Sequence, residues 1–169
     1  LCAAGMAETV GIDPSAVEGR VEAPSQGRMR LIQAHYGTEH FDLPADLICC
    51  RHTLEHIQPV HETLQMMRLH AEKTPGAVLC IEVPDAARVW SERAFEDVYY
   101  EHCSYFTAGS LADVVRRAGF SVTDIRREFY DQYLVLTGST DRSEDRRFPI
   151  ESTPSATVAN VADFAARMP

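Results

Sequence analysis

The sequence lacks the long apolar segments and the excess of positive charge that mark several classes of protein. No window of about 18 residues is both apolar and free of charge, which argues against a membrane span. The first residues show no basic stretch followed by an apolar one, so we expect no secretory signal. Lys and Arg number 16 against 25 Asp and Glu, a net charge of −9, and they form no basic stripe. This balance disfavours nucleic acid as a partner.

The sequence lacks the regular cysteine spacing of a disulfide framework or a metal site. The five cysteines are Cys2, Cys49, Cys50, Cys80 and Cys103. Their number is odd, no two have the C-x-x-C spacing, and three lie within apolar runs. This pattern predicts reduced, buried thiols in a cytoplasmic protein and disfavours a disulfide scaffold.

The chain has 169 residues, of which 45% are hydrophobic and 24% are charged, as is usual for a globular domain. Residues 1–5 resemble the last turn of a helix that ends at a glycine, so we expect the chain to begin inside a domain. Residues 139–155 are polar, charged and typical of a linker, and an apolar pattern resumes at 158–168. We therefore predict one domain over residues 1–138, followed at 139–169 by a linker and the start of a C-terminal domain.

Strand and helix patterns alternate along the predicted domain. Parallel strands are predicted at 9–12, 29–33, 45–50 and 77–83, helices at 60–73 and 110–118, and a final antiparallel pair at 121–126 and 133–137. We expect Ser110 to cap the second helix and Gly119 to end it. This order predicts a doubly wound, Rossmann-like α/β sheet with an antiparallel terminal strand pair.

In such sheets, ligands bind at the carboxyl ends of the parallel strands. The residues that follow the predicted strands are Asp13, then Cys50, Arg51 and His52, and then Asp85. These side chains are the first candidates for a binding site. We assign Asp13, Cys50 and Arg51 to cofactor binding by this position.

Several of these segments resemble class I S-adenosylmethionine-dependent methyltransferases. Residues 11–15 (GIDPS) resemble the end of that family's second strand, residues 46–57 (DLICCRHTLEHI) its fourth strand and following loop, and residues 75–84 (PGAVLCIEVP) its fifth strand. Residues 118–120 (AGF) resemble the turn into the sixth strand. The resemblance implies S-adenosylmethionine as the cofactor, with the carboxylate of Asp13 on its ribose hydroxyls. It also implies that the first strand and a Gly-rich loop lie upstream of Leu1.

A narrower resemblance rests on residues 99–107 (YYEHCSYFT). This segment is similar to one in sugar C-methyltransferases that act on nucleotide-linked keto-deoxysugars. Those proteins have an N-terminal zinc-binding domain, a central cofactor domain and a C-terminal α/β domain, and this chain resembles the central one. The resemblance implies a nucleotide sugar as the small-molecule substrate.

Methylation of carbon next to a ketone needs a base that removes a proton and leaves an enolate. His102 is suited to that work near neutral pH, and the adjacent Glu101 could orient it or raise its basicity. Tyr99 could donate a hydrogen bond to the enolate oxygen, and so could Tyr100. The resemblance suggests that His56 contacts the substrate.

Three alternatives remain open from the sequence. Residues 52–56 (HTLEH) match H-x-x-E-H, a zinc-peptidase signature that requires a long helix. Because the motif follows a buried strand and precedes Pro59, we expect no metal on His52 and His56. The methyl acceptor could instead be oxygen or nitrogen of another small molecule. Finally, the domain could keep the fold without binding cofactor.

Overall fold

The computed structural model describes residues 6–17, 19, 27–94 and 97–167. They fall into two compact units, residues 1–42 and 43–169. The helix end predicted at residues 1–5 lies outside the described residues. Among the helices that the structure describes, none is long and apolar enough to cross a membrane.

The first unit contains a parallel pair of strands. Strand β1 spans Glu8–Ile12 and pairs in register with β2, Arg28–Ile32. Strand β1 ends before Asp13 and Pro14, because proline has no N–H to donate to a strand ladder. The backbone N–H of Asp13 still donates to the carbonyl of Ile32 at 3.1 Å, and this bond fixes the backbone of Asp13 at the end of the strand pair.

The second unit contains a four-stranded sheet in the order β3-β4-β6-β5. Its strands are β3 (Leu47–Arg51), β4 (Val78–Pro84), β5 (Ser121–Glu128) and β6 (Tyr133–Ser139). Strands β3 and β4 are parallel, and β6 runs antiparallel to both β4 and β5. The predicted parallel pairs and antiparallel terminal pair are confirmed. The strands form two sheets where one was expected, because no described strand pairs with both β1 and β3.

The described residues of the second unit form four α-helices: α1 (Val60–Ala71), α2 (Ala86–Glu92), α3 (Ala108–Arg117) and α4 (Pro154–Arg167). Helix α2 was not predicted. It starts directly after β4, where the carboxylate of Asp85 accepts a hydrogen bond from the N–H of Ala87 at 2.9 Å. The prediction that Ser110 caps α3 was wrong, since Thr107 is the cap and Ser110 completes a capping box.

The core of the second unit lies between its sheet and helices α1 and α3. Leu64 of α1, Leu111 of α3 and Ile81 of β4 have no exposed surface. Phe120, in the turn between α3 and β5, is 1% exposed. Burying such a side chain is worth about 1.5–3 kcal/mol, so this layer fixes β4 and the segments that leave its carboxyl end.

The cysteines only partly match the prediction of buried thiols. Cys50 is buried, whereas Cys49 and Cys103 are exposed and Cys80 is intermediate; all four are free. Cys49 and Cys50 differ because consecutive side chains of a strand point to opposite faces of the sheet. Cys2 lies outside the described residues.

Candidate active site

A cavity of about 180 Å³ lies at the carboxyl ends of β3 and β4 in the second unit. His52 follows β3, Pro84 ends β4, and Tyr133 starts the antiparallel strand β6, so all three reach the same edge of the sheet. The predicted site residues His56, Tyr99 and His102 also line this cavity. The structure thus brings three of the four predicted catalytic side chains together.

The segment between α2 and α3 crosses this edge and carries Tyr99 and His102. The N–H groups of Cys103 and Ser104 both donate to the carbonyl oxygen of Glu55, at 2.8 and 3.1 Å. Its far end is held by the N–H of Ala86, which donates to the carbonyl of Phe106 at 2.9 Å. These backbone bonds fix the segment immediately after His102 against the loop that follows β3.

Aromatic rings surround His102. Its ring centroid lies 4.8 Å from that of His56, 5.1 Å from that of Tyr99 and 5.7 Å from that of Tyr105. The hydroxyl of Tyr105 donates to the carbonyl of Tyr99 at 3.3 Å, and this bond joins the two ends of the segment 99–105, which contains His102. Packing of this kind restricts the rotation of the His102 imidazole.

Burial holds the pKa of His102 below its ordinary value of 6.5, and the electrostatic effect of the neighbouring His56 acts in the same direction. Glu55, Glu101 and Asp97 oppose this shift, in that order. The result is an imidazole that is neutral at neutral pH and has a lone pair ready to accept a proton.

Glu55 is a buried carboxylate of the site, and its importance was not predicted. It lines the cavity, is 2% exposed, and its Oε2 atom is buried without a hydrogen-bond partner among the residues that the structure describes. Donor atoms of Glu55, His56 and His102 lie within 4.8 Å of one another. A carboxylate and two imidazoles are groups to which a divalent transition metal can bind.

Glu101 and Tyr100 lie differently from the expected arrangement. The side chain of Glu101 is exposed, and its backbone carbonyl is 3.1 Å from Nδ1 of His56. Neither Glu101 nor Tyr100 lines the cavity, and Tyr100 is fully exposed. Glu55, by contrast, places a buried carboxylate on the cavity wall close to His102.

Two of the three residues assigned to cofactor binding lie in the second unit. Arg51 donates from Nε and Nη2 to the two carboxylate oxygens of Glu82, at 3.1 and 2.8 Å. The Nε2 atom of His52 is 2.7 Å from Oε1 of the same carboxylate. Burial raises the pKa of the Cys50 thiol to about 11, so this sulfur is an uncharged part of the strand. Cofactor contact by Cys50 and Arg51 stays a prediction.

Asp13 belongs to the first unit and follows β1. Its exposed Oδ1 accepts from both the N–H and the hydroxyl of Ser15, at 2.6 and 2.5 Å. These hydrogen bonds hold the pKa of Asp13 below its ordinary value and keep the side chain ionised. Its other oxygen, Oδ2, makes no hydrogen bond within the described residues and can accept from a ligand.

The H-x-x-E-H motif does not form the helix that a zinc peptidase requires. His52 has a φ of 47°, and only Leu54–His56 form one turn of 3₁₀ helix. The two histidines therefore do not share one face of an α-helix.

Comparisons with known proteins agree on one family. Residues 1–125 match the family described as a methyltransferase domain. The C-methyltransferase NovU of Streptomyces niveus is 29% identical over 122 residues, which cover 69% of this chain and 28% of NovU. The chain thus spans less than a third of the length of that curated relative.

Two solved structures share the fold. One is the 1,6-didemethyltoxoflavin N1-methyltransferase of Burkholderia thailandensis with bound S-adenosylhomocysteine, at 22% identity and a TM-score of 0.50 over 78% of this chain and 71% of that one. The other is a variant of the 16S rRNA adenine methyltransferase of Catenulisporales acidiphilia, at 20% identity and a TM-score of 0.52 over 82% of this chain and 74% of that one.

The Rossmann-like fold, the methyltransferase family and S-adenosylmethionine as its cofactor were all predicted from the sequence, and the comparisons confirm them. The family match alone covers residues 1–125 of 169. The chain belongs to the methyltransferase domain family and is a class I S-adenosylmethionine-dependent methyltransferase domain.

Proposed function

We propose that the protein methylates a carbon atom of a nucleotide-linked keto-deoxysugar through an enolate. The observation that carries this proposal is the position of His102, a neutral imidazole that lines the cavity together with Tyr99 and His56. The resemblance of residues 99–107 to sugar C-methyltransferases and the similarity to NovU, named as a C-methyltransferase, support carbon as the acceptor.

Asp13 fits the ribose of the cofactor. Asp13 offers an ionised, exposed carboxylate at a strand end, with Oδ2 available to the ribose hydroxyls. Asp13 would therefore hold the ribose, and Cys50 and Arg51 remain the candidates from the second unit. When bound, S-adenosylmethionine supplies a methyl group on a positively charged sulfur.

The chain's own residues make the acceptor carbon nucleophilic. His102 takes the proton from the carbon next to the ketone, and the electron pair of that C–H bond becomes the enolate. The hydroxyl of Tyr99 donates a hydrogen bond to the developing enolate oxygen. His56, in edge contact with His102, helps to hold the sugar against the base.

The same proposal covers the partners and the compartment. We infer from the resemblance of residues 99–107 that the substrate is a small nucleotide sugar. A net charge of −9 disfavours binding along a nucleic acid backbone. The described cysteines are free, and Cys49 and Cys103 are exposed, which fits the reducing cytoplasm. We also infer that the protein continues upstream of Leu1 and downstream of Pro169, as its similarity to part of NovU suggests.

Product analysis tests this function. A protein extended upstream of Leu1 through the expected Gly-rich loop is incubated with ¹³C-methyl-labelled S-adenosylmethionine and a panel of nucleotide-linked keto-deoxysugars. We expect a new ¹³C methyl signal bonded to a sugar carbon. A methyl group on oxygen or nitrogen would favour the alternative acceptors. Cofactor binding without any transfer, or no binding, would favour a non-catalytic domain.

A further inference from the structure

The carboxylate of Glu55 is buried in the site and is poorly hydrogen-bonded. It is 2% exposed, yet it is a carboxylate, and burying one without full hydrogen bonding is costly. Its Oε2 atom has no hydrogen-bond partner within the described part of the chain, and Oε1 is 4.0 Å from Nδ1 of His52. His52 in turn is held at 2.7 Å by Glu82, so Glu55 is not needed to neutralise that imidazole.

The backbone places Glu55 beside His102. Its carbonyl oxygen accepts from the N–H groups of Cys103 and Ser104, the two residues that follow His102. A carboxylate oxygen of Glu55 lies within 4.8 Å of the ring nitrogens that His56 and His102 offer. The main chain of Glu55 is thus hydrogen-bonded to the residues that follow His102, and its side chain lies close to the His102 ring.

We propose that Glu55 is the positioning residue of His102, and that its buried carboxylate orients the imidazole and stabilises the positive charge created when His102 takes a proton. This inference rests on the proposed function, in which His102 is the base. The step balances: the substrate loses one proton and becomes an enolate, and His102 gains that proton and becomes an imidazolium. Glu55 keeps its negative charge and pairs with the new positive charge.

Other charged groups near His102 do not serve this purpose as well. Glu101 is adjacent in sequence, but its side chain is exposed, and water screens its charge. Asp97 lines the cavity, but its carboxylate is bound to Arg88 at 2.7 Å. Asp85 also lines the cavity, and its Oδ2 accepts from Arg127 at 2.6 Å. An imidazole such as His56 can carry positive charge but not negative charge, so it cannot stabilise an imidazolium at His102.

A titration of His102 tests the inference without measuring turnover. NMR follows the His102 imidazole against pH in the full chain, in Glu55→Gln and in the matched control Glu101→Gln, with ¹⁵N shifts reporting the tautomer. Removing the charge of Glu55 should lower the proton affinity of His102 about tenfold and change its tautomer ratio. Glu101→Gln should change that affinity less than about twofold, because its carboxylate is solvated.

The same variants are then compared in the extended enzyme. We expect Glu55→Gln to lower the turnover number by about tenfold and to move the acidic limb of its pH profile to lower pH, with KM unchanged. Glu55→Asp keeps the negative charge and should restore part of the turnover that Glu55→Gln loses. It also shows whether the protein folds with a shorter side chain at this position. Thermal unfolding of both variants checks that the core is intact.

The outcomes separate this inference from the function on which it rests. If the His102 titration is the same in Glu55→Gln as in the wild type, the inference is wrong, whatever the activity. If His102→Ala keeps full activity while Glu55→Gln still shifts the titration, the proposed function is wrong and the pairing of Glu55 with His102 stands without a catalytic use.

Discussion

His56 donates from Nδ1 to the backbone carbonyl oxygen of Glu101, over a distance of 3.1 Å. The carbonyl can only accept, so Nδ1 carries the proton, and Nε2 of the neutral ring keeps its lone pair. This bond joins the two sequence motifs of the site, H-x-x-E-H after β3 and Y-E-H before α3. It accounts for the ring contact of 4.8 Å between His56 and His102.

The first prediction concerns Asp13 and the cofactor. In the extended protein, Asp13→Ala should weaken binding of S-adenosylhomocysteine by about 1.5–3 kcal/mol, the cost of losing charge-assisted hydrogen bonds to the ribose. Calorimetry measures the affinity. Glu8→Ala at the opposite end of β1 is the matched control and should leave the affinity unchanged. Equal affinities in wild type and Asp13→Ala would remove Asp13 from the site.

The second prediction concerns pH. The base must be unprotonated, and burial holds the pKa of His102 below 6.5. We therefore expect kcat to rise with pH through an apparent pKa below 6.5 and to level off near neutrality. A rate limb whose midpoint lies at or above 6.5, or a limb unchanged in His102→Ala, would assign the titration to another group.

The third prediction concerns stability. Arg116 of α3 is 10% exposed and binds both Asp145, at 2.9 Å, and Glu151, at 2.8 Å. Arg116→Ala should lower the free energy of unfolding by about 2–4 kcal/mol, because the buried Glu151 carboxylate loses two hydrogen bonds from Arg116 and keeps those from Arg147 and the N–H of Phe148. The neighbouring Arg117 pairs with Asp113 but is 73% exposed, so Arg117→Ala should cost less than about 1 kcal/mol. Urea unfolding compares the two.

The same ion pairs give a pH dependence with a definite sign. Burial raises the pKa of Glu151 and that of Asp145, but hydrogen bonds to Arg116 and to backbone N–H groups outweigh it, so both values are lowered. Their contribution to stability is present above the ordinary values of 4.5 and 3.8 and is lost as the pH falls below them. The difference between wild type and Arg116→Ala should therefore shrink in acid; a constant difference down to pH 2 would contradict this.

The fourth prediction concerns metal. His52 is engaged by Glu82, and the motif that contains it is not helical, so we expect the pair His52 and His56 to bind no zinc. Elemental analysis after dialysis against a chelator measures this. One zinc ion per chain that disappears in His56→Ala would overturn the assignment of these side chains to proton transfer.

Much of the fold was predictable because its signals are local. Strand β4 was predicted at 77–83 and found at Val78–Pro84, since a buried apolar run ends at proline and aspartate. Helix α2 was missed because it is short and follows β4 without an intervening turn. The place of β6 between β4 and β5 was also not predicted, because pairing partners depend on contacts between distant parts of the chain.

The site was predictable in part for the same reason. His102, Tyr99 and His56 belong to motifs that a sequence displays directly. Glu55 also belongs to a motif, H-x-x-E-H, but only the packing of the loop after β3 shows that its carboxylate is buried beside His102. Glu101 was given the role of acid partner because it is adjacent in sequence, but residues 99–102 form a turn, in which the N–H of His102 donates to the carbonyl of Tyr99 at 3.2 Å, and the Glu101 side chain is exposed.

The central claim is that His102 removes a proton from carbon, and solvent exchange tests it most directly. The extended enzyme is incubated in deuterated water with S-adenosylhomocysteine and the keto-sugar nucleotide that it methylates, and NMR follows loss of the α-proton signal. Tyr100→Phe, at a fully exposed position outside the cavity, is the control and should exchange like the wild type. We predict that His102→Ala abolishes exchange and lowers turnover about 10²–10⁴-fold while cofactor affinity is retained. Exchange at the wild-type rate in His102→Ala would contradict the account and leave His56 or Tyr99 as the group that takes the proton.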